Sequence, residues 1–211
     1  MRYDGVIFDF DGTLADTSEG VLASVEYSLE KIGVPVPDRS ILRGFIGPAL
    51  YDSYINIIGL NEEDALKAVE HYREVYVPKN VYRLRLFDGI KEMLTLLKKE
   101  GIVLSVASSK PYPQLLKAIG SVGISELFDQ IIGPDPSVTT NNKEDYFRRA
   151  LLTENTVVVG DAIFDIDGAH KAGLPVIAVT YGFGKEEDLI AHNPDYTVSS
   201  VQELTKFLTE K

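Results

Sequence analysis

The sequence predicts an α/β fold: a parallel sheet covered on both faces by helices, with a block of helices inserted after the first strand. Three observations carry this. Short, predominantly apolar runs at residues 102–107, 130–132, 156–159, 175–179 and 196–198 alternate with amphipathic stretches of helical period. Strands apolar at successive positions belong to parallel sheets buried on both sides. Between Thr17 and Arg85 the pattern is helical with no convincing strand, which marks a compact insert rather than a linker.

The first strand is Val6-Ile-Phe, running into Asp9-Phe-Asp11-Gly12-Thr13. Asp16-Thr-Ser-Glu19 reads as a helix start. Val21, Val25, Leu29 and Ile32 share a face, and Gly33, Pro35 and Pro37 stop the helix. Arg43-Gly-Phe-Ile-Gly47-Pro48 forms a glycine-bracketed loop between helical pieces. Asn61 caps a helix that carries Ala65, Val69, Tyr72 and Tyr76 on one side; Phe45 and Tyr51 read as apolar filling of the insert. Asp88-Gly89 opens a helix with Ile90, Met93, Leu94 and Leu97 inward. The strand at 102–107 stops at Ser108-Ser109-Lys110-Pro111, and Pro111 suits the first turn of the next helix. A helix at 143–152 turns Phe147, Ala150 and Leu151 inward. Gly160-Asp161 ends the strand at 156–159, and a helix spans 165–172. Residues 186–191 form a helix, 196–198 an edge strand, and Ser200-Val-Gln-Glu203 a capping box for the last helix.

The 211 residues, 45% of them hydrophobic, suffice for one substantial core. A formal net charge of −11 argues against nucleic acid or an anionic membrane as the main partner, since both need basic patches. With no cysteine, disulfides, thiol catalysis and zinc–thiolate sites are excluded. Met1 runs almost directly into the first strand, and no apolar run approaches the ~18 residues of a membrane span, so a soluble, cytoplasmic protein is expected.

Every suspicious polar residue falls at the carboxyl end of a strand, where open parallel sheets bind ligands. Asp9 and Asp11 leave one strand on the same side, Ser108 and Ser109 end another, and Asp161 and Asp165 follow a third. An isolated Asp-x-Asp-Gly is an acidic turn. Four aspartates around one crevice instead repel unless a cation sits among them or one keeps its proton. Oxygen-only ligands point to Mg²⁺. A phosphate on that ion needs donors, which Ser108, backbone N–H groups and Lys143 at a helix start can supply.

Asp9-Phe-Asp11-Gly-Thr-Leu, Ser108, Lys143 and Gly160-Asp161-Ala-Ile-Phe-Asp165 resemble, in order, the four motifs of the haloacid dehalogenase superfamily. The chain looks closest to its phosphoglycolate-phosphatase-like branch, whose helical cap lies between the first and second motifs. The resemblance implies a Rossmann-like three-layer core formed by residues 1–16 and 86–211, with an α-helical cap at 17–85. It implies a phosphatase acting on a small phosphomonoester, as a monomer or homodimer. Asp9 would attack phosphorus and form an aspartyl-phosphate. Asp11 would protonate the leaving alcohol, then activate water, and lend its backbone carbonyl to Mg²⁺. Gly12 and Thr13 would shape the phosphate loop, Ser108 and Ser109 would bind the phosphoryl group, and Lys143 would hold Asp9 and the phosphate. Asp9, Asp11, Asp161 and Asp165 would form the metal site. Arg43 lies in the loop that resembles the family's specificity loop and is the candidate for an anionic leaving group.

Two features depart from the family pattern. The dehalogenases of the superfamily lack an aspartate at position 11, so Asp11 favours phosphoryl transfer. Lys143 is followed by Glu144 where proline is frequent. A β-phosphoglucomutase-like mutase and a non-catalytic phosphate-binding protein are the alternatives; Gly47-Pro48, in place of a further basic residue, argues against the mutase.

Overall fold

The computed structural model describes residues 2–137 and 142–210. The first strand, β1 (Gly5–Phe8), is buried throughout and leads through a tight turn into β2 (Ala15–Asp16). Helices α1 (Ser18–Lys31), α2 (Arg39–Leu42), α3 (Leu50–Ser53) and α4 (Glu62–Tyr76) follow. The chain returns through β3 (Arg85–Leu86) and then alternates regularly. The order is α5 (Ile90–Lys99), β4 (Val103–Ala107), α6 (Tyr112–Ser121), β5 (Gln130–Ile132), α7 (Lys143–Ala150) and β6 (Thr156–Gly160). It closes with α8 (Ile163–Ala172), β7 (Val176–Val179), α9 (Glu186–Ala191), β8 (Tyr196–Val198) and α10 (Val201–Thr209).

The main sheet is parallel, in the order β5-β4-β1-β6-β7-β8. In the middle, Gly5 of β1 stands opposite Val103 on one side and Thr156 on the other. After the helical insert the chain builds β4 and β5 outward, then crosses back over β1 to lay down β6, β7 and β8. The strand order therefore reverses at β1, and such a reversal opens a crevice outside the carboxyl ends of the strands.

Successive residues of β1 feed opposite layers, as the period of two requires. Val6 and Phe8 join Met93, Leu94, Leu115 and Leu204 on one face, while Ile7 joins Phe147, Ile166 and Leu189 on the other. Each such side chain contributes roughly 1.5–3 kcal/mol when fully buried. Asn61 caps α4, its Oδ1 accepting from the Asp64 N–H at 2.9 Å. Ser200 caps α10 by accepting from the Glu203 N–H, whereas the Glu203 carboxylate reaches back to the Ser199 N–H at 2.8 Å rather than to Ser200. No helix among the described residues is long and apolar enough to cross a membrane.

Some expectations need correction. Arg85 is not helical: β3 pairs antiparallel with β2, Ala15 opposite Leu86 and Asp16 opposite Arg85, so the chain leaves and re-enters side by side. Two-residue strands carry too little periodicity to announce themselves. Pro111 caps α6 from outside, and Pro113 takes the first turn. Helix α7 stops at Ala150, which leaves Leu151 exposed instead of inward.

Candidate active site

The turn after β1 is closed by its own backbone. Gly12 donates to Ala15 at 2.9 Å and Leu14 to Phe10 at 3.0 Å, while the Asp9 N–H continues the ladder to Val159 at 2.9 Å. Gly12 has φ +83°, and a Cβ there would collide with the Asp161 carboxylate, so both its conformation and its neighbour require glycine. The ends of β1 and β6 thus converge. Carboxylate oxygens of Asp9, Asp161 and Asp165 lie within 4.8 Å of one another, all buried.

Lys143, at the first position of α7, supplies the compensating charge. Its Nζ lies 2.8 Å from Asp9 Oδ1, 2.7 Å from Asp165 Oδ1 and 3.3 Å from the Ala107 carbonyl. Helices α7 and α8 approach closely enough for this because Gly168 faces Lys143; a Cβ there would meet Lys143 Cβ at 2.6 Å. Asp165 is fixed in the first turn of α8, Oδ2 accepting from the Ala162 N–H at 3.1 Å. Asp161 accepts from Thr13 Oγ1 at 2.9 Å and from the Phe183 N–H at 2.8 Å, while the Tyr181 hydroxyl donates to the Thr13 carbonyl at 2.9 Å. Thr13 therefore orients an acidic group and does not face the crevice.

Burial dominates the electrostatics. It pushes Asp9 up to about 7, with Asp165 and Asp11 adding to the rise and Lys143 opposing it. Burial, then Asp9 and Asp165, hold Asp161 well above the usual carboxylate range, against the donors from Phe183 and Thr13. Lys143 loses to burial but gains more from Asp165 and Asp9, and ends above the ordinary lysine value. An oxygen-only nest carrying excess negative charge fits a hard divalent cation such as Mg²⁺. A raised carboxylate contributes stability that is present below the unfolded value near 4 and lost as pH rises through about 7. A divalent cation held in the nest would reverse that loss, so the rise in melting temperature on adding Mg²⁺ is expected to grow from pH 5 to pH 8. Thermal unfolding with and without the ion checks this, and a pH-independent gap would count against the nest as the binding place.

Above the nest opens a cavity of about 300 Å³, reached by Asp9, Asp11, Ser108, Ser109 and Lys143 from the sheet side. Gly12 and Thr13, expected at the phosphate, are not among the residues that line it. Arg43 is exposed, in the short turn Arg43–Phe45, and does not line the cavity. The cation that the helical segment does bring to the wall is Arg73 of α4. Phe45 and Tyr51, expected as internal filling, also reach the wall.

One residue that sequence reasoning passed over is central. Lys110, just after Ser109, places Nζ 2.6 Å from Asp11 Oδ1, and both side chains are largely buried. The ammonium sits 5.4 Å from the Tyr76 ring centroid, under α4. Burial lowers its proton affinity, but Asp11 and then Tyr76 more than offset this and hold it above the ordinary lysine range. Lysine beside a strand end usually reads as a solvated charge. The only sequence signal was its position two residues past Ser108. Tyr181 and Phe183 were missed as well, and their signal was the glycine-spaced Tyr-Gly-Phe-Gly after the apolar strand at 175–179.

Comparison with known proteins agrees with this geometry. Residues 6–179 match the family model "Haloacid dehalogenase-like hydrolase". The solved structure of a predicted phosphatase from Clostridium acetobutylicum superposes with a TM-score of 0.92 at 37% identity, covering 100% of both chains. A 5′-nucleotidase of Pseudomonas aeruginosa is 36% identical over 99% of this chain and 96% of its own. The tyrosine-protein kinase PtkA of Mycobacterium tuberculosis is 34% identical over 86% of this chain, which spans 64% of that protein. Proteins named phosphoglycolate phosphatase align over 95% of this chain. The chain belongs to the haloacid dehalogenase-like hydrolase family, on its phosphatase branch.

Proposed function

We propose that this hydrolase is a Mg²⁺-dependent phosphatase that cleaves a small phosphomonoester through a phosphoryl group carried on Asp9. The observation that carries the reading is the placing of two strand-end aspartates on one cavity, Asp9 against Lys143 and Asp11 against Lys110. Asp9, Asp161 and Asp165, with the Asp11 carbonyl, would hold Mg²⁺, which when bound supplies charge neutralisation for the transferring phosphoryl group.

The chain's own groups account for the rest. An Asp9 carboxylate oxygen attacks phosphorus as the bond to the leaving oxygen breaks. Asp11, in its protonated form, gives its proton to that oxygen, and the free alcohol departs. Asp11 then takes a proton from water, the water oxygen attacks phosphorus, and the Asp9–phosphorus bond breaks to release phosphate. Lys143 stabilises the charge spread over the phosphoryl oxygens and keeps Asp9 aimed. Lys110 holds Asp11 through Oδ1 and orients it for proton transfer. Ser108 and Ser109 border the phosphoryl position. The segment 17–85 serves as a cap that excludes water during transfer. The proposed setting is the cytoplasm, with a phosphorylated metabolite as partner and the chain as a monomer or homodimer.

Phosphate release from a panel of phosphomonoesters, with Mg²⁺ and with EDTA, tests the reading. Release is expected with Mg²⁺ and should fall at least about 10²-fold in EDTA, since metal stabilisation is worth several kcal/mol. Interconversion of sugar phosphate isomers without net release would replace the phosphatase with the mutase. Binding of phosphoesters with no turnover of any would favour the binding protein.

A further inference from the structure

We propose that the cavity selects phosphomonoesters whose alcohol carries a flat, uncharged aromatic ring, represented by a nucleoside 5′-monophosphate, over small acidic esters such as phosphoglycolate. The inference rests on the phosphatase reading for the position of the phosphoryl group and adds what lies beyond it.

Size is the first argument. About 300 Å³ lies at the lower bound of the ~300–1,000 Å³ found for pockets that hold drug-sized ligands. A two-carbon acid would leave most of that space filled by water against an apolar wall.

The wall is the second. Opposite the aspartates the cavity is lined by Ile46, Leu50, Tyr51, Leu66, Val69 and Tyr72. Tyr72 stacks on Tyr76 with centroids 4.9 Å apart and planes at 24°, giving a rigid aromatic floor at low entropic cost. Leu66 is 57% exposed although it lies on the cavity, so a ring that covers it removes apolar surface from water.

Charge is the third. Among the described residues, three cations line the cavity. Lys110 is committed to Asp11, and Lys143 to Asp9 and Asp165. Arg73 alone has no carboxylate partner, and it is exposed on α4, suited to stack on a ring at the mouth. A carboxylate beside the phosphate would add negative charge next to Asp9 and Asp11, whose lysines are already paired. Gln114 also lines the cavity, and its carboxamide offers both a donor and an acceptor to a sugar hydroxyl or a ring edge.

The test uses the full chain with Mg²⁺ and compares kcat/KM for a nucleoside 5′-monophosphate, glucose 6-phosphate and phosphoglycolate. The nucleotide is expected to lead by on the order of 10²-fold. Leu66→Glu, which puts a charge on the exposed wall, should cut that preference about tenfold. Calorimetric titration of the same three esters into the Asp9→Asn variant reads recognition without turnover, and the nucleotide should again bind most tightly. Phosphoglycolate or glucose 6-phosphate turned over as well as the nucleotide overturns the inference and leaves the phosphatase intact. Selective nucleotide binding with no hydrolysis by the parent chain upholds the recognition site and sinks the phosphatase reading instead.

Discussion

Asp9→Asn is expected to lower phosphate release by at least about 10⁴-fold, since loss of a covalent nucleophile removes the reaction path rather than weakening it. The amide has the shape of the carboxylate, so β1 and its ladder remain in place. Removing one of three mutually repelling buried carboxylates should also leave the metal-free chain no less stable than the parent. Rapid acid quenching during turnover of a radiolabelled ester should trap label on the parent and none on the variant. A variant retaining a tenth of parental activity would show that Asp9 is not the attacking group.

The second large effect is expected at Lys143. Its ammonium neutralises Asp9 and Asp165 at 2.8 and 2.7 Å in a dry environment. Breaking a buried pair by deleting one partner costs about 3–5 kcal/mol, because an uncompensated charge stays behind. Lys143→Met keeps the packing against Phe147, removes the charge, and should lower the melting temperature by some 5 °C or more for a chain of this size. Mg²⁺ should restore part of that loss, since a dication in the nest relieves the same repulsion. Turnover should fall even where stability recovers, as the phosphoryl charge has lost one of its stabilising groups. Unchanged melting and unchanged kcat would place Lys143 outside the machinery.

Much of the fold was legible because the strands are short, mostly apolar and punctuated by glycine, proline and acidic turns. The three strand ends with Asp9, Ser108 and Asp161 follow directly from that punctuation, and the structure brings Asp9 and Asp161 within one carboxylate cluster. What was illegible depends on contacts distant in sequence. The pairing of β2 with β3 spans some seventy residues and two positions per strand, too few for a period. Lys110 looks solvated until α4 covers it with Tyr76. Arg43 drew attention because it lies in a loop, yet the cation on the wall is Arg73, whose helix face only the packing of α4 defines. Thr13 was expected to shape a phosphate loop, and its hydroxyl donates to Asp161.

The sheet order has an evolutionary consequence. β4, β1 and β6 lie side by side, and their spacing of about 4.8 Å is set by backbone hydrogen bonds, independent of side-chain identity. The groups proposed for chemistry hang from that ladder or from the loops and helices immediately after it. The apolar wall proposed to meet the leaving group hangs from residues 46–77, tied to the sheet through the short β2–β3 ribbon. Mutation can therefore explore new leaving groups along one stretch of gene while the reactive groups stay in register, and a lineage with this topology can change its diet without relearning its reaction.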